Sequence, residues 1–256
     1  MNTHPSARHR KPPHLARIIP NAITVTALCT GLSAIRFALM ERWELAVSLI
    51  LIAAILDAMD GRIARLLRVD SHFGAELDSL SDFISFGVAP AVVIYLYSLQ
   101  VWKGTGWALA LFFSTCMALR LARFNTSIDA PMPEWTKGFS VGVPAPAGAV
   151  LGLLPMMSSF ALEISLQDLP LLFAISLLLS GLLMISRIPT YVLKNVRIPH
   201  PFVRLLLMMV AVFMAALFSI PWWTLSIGAL IYLLSIPVSL ISYRKKKTGE
   251  ENTVHF

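Results

Sequence analysis

DAMDGRIARLLRVDSHFGAELDSLSD, residues 57–82, decides how the rest of the chain is read. It opens inside one apolar run, LAVSLILIAAIL, and closes at the start of another, FISFGVAPAVVIYLY. Asp57, Asp60, Asp78 and Asp82 therefore lie where two hydrophobic segments meet a membrane surface. A carboxylate at a bilayer centre costs about 2.5–3.5 kcal/mol, and less near the interface. Four of them call for partners, and cations are the obvious ones.

The spacing supports that idea. At about 100° per helical residue, Asp57, Asp60, Gly61 and Ala64 fall within an arc of roughly 100° on one helix face. Asp78 and Asp82 stand about 40° apart around the next helix, with Gly74 one turn before them. Two antiparallel helices joined near Arg68–Phe73 can turn all four carboxylates toward one pocket. Hard oxygen ligands in that number suit Mg²⁺, Mn²⁺ or Ca²⁺, whereas zinc would want Cys or His. Gly61, Ala64 and Gly74 leave room for a ligand against the backbone, and Arg65 adds a fixed positive charge suited to a phosphate. The plainer alternative is a loop whose acids solvate the turn and pair with Arg62, Arg65 and Arg68.

Working outward, 57% hydrophobic residues and a mean hydropathy of +0.72 describe an all-α polytopic membrane protein with no room for a large soluble domain. The formal charge of +7 would suggest nucleic acid in a soluble protein. Here the basic residues cluster between apolar runs, so an anionic lipid surface is the expected partner and nucleic acid is not. Cys29 and Cys116 lie in separate apolar runs and give neither a disulfide framework nor a metal spacing.

The expected organisation is a basic tail over 1–17, a transmembrane catalytic domain over 18–242 and a second tail over 243–256. The tail resembles the start of a signal peptide, but the apolar run behind it is too long and no cleavage site follows, so 18–39 reads as a retained first span. Seven more are expected at 44–66, 79–100, 105–124, 146–162, 170–187, 203–219 and 222–242, about eight in all. With the N-terminus cytoplasmic, every Lys and Arg except Arg36, Arg42 and Lys103 falls on the cytoplasmic side, some at a span end. That asymmetry places both termini and the Asp cluster in the cytoplasm. Trp222 and Trp223 fall at the opposite interface, where indoles anchor.

The pattern Asp57-x2-Asp60-Gly61-x2-Ala64-Arg65-x8-Gly74-x3-Asp78-x3-Asp82 resembles the full signature of the CDP-alcohol phosphotransferases, every fixed position matched and every spacer intact. The resemblance implies that family's fold and its reaction: a CDP-linked alcohol is cleaved at the diphosphate, its phosphoryl-bearing part passes to a second hydroxyl, and CMP leaves. It implies metal at Asp57, Asp60 and Asp78, with Asp82 beside the ions as the base. Two divalent ions, Mg²⁺ or Mn²⁺ with Ca²⁺ a third option, would stand about 3.5–4 Å apart. Gly61, Ala64, Arg65 and Gly74 would shape the CDP-lipid site. Asn21 and Thr24, in IPNAIT, are further candidates there, with helix capping and interhelical hydrogen bonding as the plainer role.

The flanking segments select a branch. FISFGVAPA after Asp82, ALRLARFN at 118–125, GVPAPAGA at 142–149 and ISRIPTY at 185–191 resemble bacterial integral-membrane phosphatidylserine synthases. That implies CDP-diacylglycerol and L-serine as substrates, CMP as a product, a bacterial cytoplasmic (inner) membrane and a homodimer. A serine pocket needs a counter-ion for the α-carboxylate, and Arg120 and Arg123 are the nearest inward cations, with Asn125 adding a hydrogen bond. Both arginines also suit topology anchors at a span end, and Ser85 suits packing. Other acceptors stay open: choline would want an aromatic cage, and glycerol 3-phosphate or an inositol compound more cations. A divalent-cation transporter is the alternative of another class, since acids within spans often mark ion pathways.

Overall fold

The computed structural model describes residues 14–67, 69, 71–127, 139–191 and 200–254. Among them helices dominate: α1 (His14–Leu39), α2 (Trp43–Leu67), α3 (His72–Asp82), α4 (Ala89–Tyr97), α5 (Lys103–Ser127), α6 (Ala145–Leu162), α7 (Pro170–Ile185), α8 (His200–Ser219) and α9 (Pro221–Val254). A π-helical segment, Phe83–Val88, welds α3 to α4, and a 3₁₀ turn, Leu99–Trp102, leads into α5. Expected tail residues 1–13 and 255–256 lie outside the described residues, as do Arg68 and most of the connection at 192–199.

This is an all-α membrane protein. Among the described residues, five stretches are long and apolar enough to cross a bilayer: Ile18–Leu39, His72–Tyr97, Leu99–Thr126, Ala145–Leu162 and Pro221–Tyr243. The other expected spans are helical but fall short in length or polarity. α7 has 16 residues, about 24 Å at 1.5 Å per residue, against a hydrocarbon core of about 30 Å. The apolar part of α8 is Val203–Ser219, and α2 carries Asp57, Asp60, Arg62 and Arg65 toward its end.

Small residues set how the first helices meet. Ala27, Ala34 and Ala38 are buried on one stripe of α1, facing Ala46, Val47, Ile50 and Ala53 of α2. Gly31, on the same stripe, is where α1 crosses the π-helical segment. A Cβ there would come within 2.8 Å of Ser85 Cα, so the two backbones touch. Ser85 is 1% exposed and donates to Ala27 O at 3.4 Å, the packing role expected of it. Such close approach suits a lipid solvent, where small residues drive helix contact in the absence of a hydrophobic effect.

Phe86, Phe113, Met117, Leu153, Met156 and Leu177 fill the core between α4, α5, α6 and α7. Serines bind helices across it: Ser180 Oγ donates to Gly148 O at 2.5 Å and Ser176 Oγ to Leu151 O at 2.9 Å. α8 leans on α9 with its apolar side chains exposed, as a lipid-facing helix would have them.

At one end of the bundle a short antiparallel ribbon pairs β1 (Phe139–Val141) with β2 (Pro189–Tyr191), Ser140 opposite Thr190. Gly142 leaves β1 with φ +81, and a Cβ there would lie 2.8 Å from the carbonyls of Met184 and Ser186. Only glycine fits both the angle and the space. Ser239 of α9 donates to Pro189 O at 2.8 Å, tying the last helix to the ribbon.

Candidate active site

The four acids reach one place because α2 ends and α3 begins at one short turn, and α1 packs against both helices. Ser71 caps α3 by accepting from the Gly74 amide at 3.0 Å, which fixes where that helix starts. Ligand atoms of Asp57, Asp60 and Asp78 then all lie within 4.8 Å of one another. Asp82, one turn after Asp78, brings its carboxyl beside that of Asp57.

Asp60 is 4% exposed and is held from α1, where Thr24 Oγ1 donates to its Oδ2 at 2.5 Å. The Thr24 carbonyl in turn accepts from Ser81 Oγ at 3.2 Å. One residue of α1 thus fixes an acid of α2 and the backbone of α3. Asn21, a turn earlier, faces Gly74, whose Cβ would lie 3.1 Å from Asn21 Oδ1. Gly61 is exposed and a Cβ there would meet nothing within 4 Å, so open space lies beside this acid-bearing helix end. Ala64 is half-buried on the same face. Arg65 is exposed and its Nε donates to Gly61 O at 2.9 Å, at the rim of that space.

The donor set fits divalent cations. Asp78 Oδ1 and Asp82 Oδ1 are buried with no hydrogen-bond donor among the described residues. Burying carboxylate oxygens without donors is expensive, and hard cations satisfy such oxygens directly. Asp57, Asp60 and Asp78 would hold the ions, with Asp82 alongside. Loss of the Thr24 hydroxyl removes the donor that orients Asp60, so Thr24→Val is expected to weaken Mn²⁺ binding by about 10–100-fold in a calorimetric titration. Unaltered affinity would separate Thr24 from the site.

The expected acceptor residues part company. Arg120 stays with the acids: its charge interacts with Asp82 and Asp57, and its Nε donates to Val143 O at 2.7 Å. Arg123 has another task. Its Nη1 donates to Ile185 O at 2.6 Å, and its Nη2 lies within 3.3 Å of the carbonyls of Val141, Met184 and Ser186. It closes the open carbonyls at the end of α7, so both its terminal nitrogens are engaged by backbone. Asn125 is exposed and donates to Ser79 Oγ at 2.9 Å, joining α5 to the outer side of α3.

One residue near Arg120 escaped the sequence reading. Tyr232 of α9, inside the apolar run LIYLL, lies beside Thr190 and Arg120. Nothing in its local sequence distinguishes it from a packing residue.

Comparison with known proteins agrees with the geometry. A family model described as CDP-alcohol phosphatidyltransferase matches residues 17–193, and one described as CDP-alcohol phosphatidyltransferase 2 matches residues 202–237. A Mycobacterium leprae protein is 40% identical over 231 residues, covering 89% of this chain and 76% of its own. One from Mycobacterium tuberculosis is 38% identical over the same length, covering 89% and 80%. A Helicobacter pylori protein is 34% identical over 217 residues, covering 85% and 88%. All three are named CDP-diacylglycerol–serine O-phosphatidyltransferase.

Proposed function

Because the chain belongs to the CDP-alcohol phosphatidyltransferase family, we propose that it transfers the phosphatidyl group of CDP-diacylglycerol to the hydroxyl of L-serine, giving phosphatidylserine and CMP. The observation that carries this reading is the meeting of Asp57, Asp60 and Asp78 within 4.8 Å beside Asp82, with Arg120 as the cation next to them.

The serine hydroxyl attacks the phosphorus that bears diacylglycerol. A new P–O bond forms there, the bond to CMP breaks, and CMP departs with the bridging oxygen. The hydroxyl proton passes to a carboxylate oxygen of Asp82. Two divalent ions, Mg²⁺ or Mn²⁺, held by the aspartates would neutralise the diphosphate and the charge developing on CMP. Gly61 leaves space for the nucleotide, Arg65 meets a phosphate at the rim, and Asn21 and Gly74 shape the wall opposite. Thr24 keeps Asp60 aimed. Positioning and electrostatics supply most of the rate.

Arg120 reads the serine α-carboxylate. It is the arginine that faces the acids, whereas Arg123 serves the end of α7 and Asn125 lies outside the pocket. A bidentate guanidinium is not replaced by an ammonium. Arg120→Lys is therefore expected to raise the KM for serine by about 10–100-fold while moving that for CDP-diacylglycerol by under about threefold. Equal changes in both would detach Arg120 from the acceptor.

The reading includes about eight membrane crossings, α2, α7 and α8 among them, with both termini and the site on the cytoplasmic side of a bacterial inner membrane. It also includes a homodimer. The test is CMP release by the purified protein with CDP-diacylglycerol and serine, glycerol 3-phosphate, inositol 1-phosphate or choline in turn. Serine should far exceed the others, and a different preferred acceptor would overturn the assignment.

A further inference from the structure

Tyr232 sits on the buried face of α9, in line with Ala229 and Ile236, at 5% and 6% exposure, and with Ser239. The bond from Ser239 to Pro189 O, at 2.8 Å, fixes this helix two turns further on. The Tyr232 hydroxyl is itself buried, yet among the described residues no well-formed hydrogen bond satisfies it. Its polar neighbours are Thr190 and Arg120. Both are anchored to consecutive carbonyls: Thr190 Oγ1 donates to Gly142 O at 2.9 Å, and Arg120 Nε to Val143 O at 2.7 Å. The Thr190 proton is thereby engaged, leaving its Oγ1 as an acceptor that the phenol adjoins without a well-formed bond, and Arg120 has no oxygen to accept from Tyr232. A phenol proton beside a guanidinium that itself interacts with Asp82 and Asp57 is a donor available to an anion.

We propose that Tyr232 is a specificity-determining residue, its hydroxyl joining Arg120 in holding the carboxylate of the acceptor amino acid. The inference rests on the serine reading above and deepens it. In serine the hydroxyl and the carboxylate are borne on neighbouring carbons of one short chain. Once the hydroxyl stands at Asp82, whatever reads the carboxylate must stand within one small molecule's length of it. Arg120 is the cation whose charge acts on Asp82 and Asp57, and Tyr232 adjoins Arg120. A site with two buried donors set for a carboxylate rejects acceptors that lack one, because its own groups are then left unpaired.

The test is Tyr232→Phe, which removes one oxygen and keeps the ring, assayed by CMP release with L-serine and with L-serinamide. Serinamide keeps the hydroxyl and the amine but carries no anion. The variant should lose about 10–100-fold in kcat/KM for serine, chiefly through KM, and change by under about twofold with serinamide. Its melting temperature without substrate should not fall, since no formed hydrogen bond is lost, while the rise given by saturating serine should shrink. Parallel loss with both acceptors, or a lowered melting temperature with the acceptor ratio unchanged, makes Tyr232 a packing residue and overturns the proposal. The wild-type reaction checks the underlying reading. No CMP release with serine removes that reading and Tyr232 with it, whereas release with an unchanged ratio in the variant removes Tyr232 alone.

Discussion

Asp82→Asn should lower CMP release by about 10²–10⁴-fold while CDP-diacylglycerol still binds. The amide keeps the size of the side chain and one oxygen, so the helix and its neighbours are undisturbed. It cannot accept the proton of an attacking hydroxyl. Asp82 is the acid that falls outside the trio within 4.8 Å of one another, yet its carboxyl touches Asp57 and interacts with Arg120. That places it beside the ion-binding oxygens and next to the group proposed to hold the acceptor. Rapid-quench turnover combined with equilibrium binding of CDP-diacylglycerol separates the two effects. Turnover within about tenfold of wild type would remove Asp82 as the base.

The second large effect is expected at Asp57 and Asp78, and its two halves have opposite signs. Four carboxylates in one pocket repel when nothing lies between them. Neutralising one by Asp57→Asn or Asp78→Asn should therefore raise the melting temperature of the metal-free protein. The same change removes a charged ligand and weakens the metal. A protein with metal at about 100 times its dissociation constant gains about 2.7 kcal/mol of stability, and that increment should collapse in either variant. The metal concentration for half-maximal activity should rise in step. A structural role in a solvated turn predicts neither response. A melting temperature indifferent to Mg²⁺ and Mn²⁺ in the wild type would speak against the site altogether.

Much of this was legible before any coordinates, for definite reasons. The 3.6-residue period and the fixed spacers place Asp57, Asp60, Asp78 and Asp82 on facing helix ends, because helix geometry is stiff and the turn between is short. Apolar run length marks most helix ends within a few residues, but α9 runs twelve residues past the expected 242 and α3 starts seven before the expected 79. The same run length did not separate helices that cross a bilayer by themselves from shorter ones such as α7, whose 16 residues depend on their neighbours. Thr24 was named only as a candidate, since its bond to Asp60 joins helices that meet by packing of Ala and Gly stripes.

Contacts far along the chain are what the sequence does not show. Arg123 has the composition of a carboxylate reader, and what redirects it is the open end of α7, some 60 residues later in sequence. β1 and β2 are three residues each, too brief to show a period. The π-helical segment Phe83–Val88 is a change of hydrogen-bond register within an apolar run, and its residues look like those around it. Segments of this kind gather near functional sites, and here one begins at the residue after Asp82. Tyr232 illustrates the same limit: a single hydroxyl in LIYLL gains meaning only when α9 is laid against the ribbon and Arg120.

The central claim is that these aspartates hold divalent ions at the reacting diphosphate. Anomalous diffraction at the manganese edge, from crystals of the active protein grown with Mn²⁺ and a CDP-lipid, tests it most directly. The account predicts manganese peaks bounded by the carboxylates of Asp57, Asp60 and Asp78, with Asp82 alongside. Manganese bound elsewhere, with those carboxylates bare in a protein that still releases CMP, would contradict it.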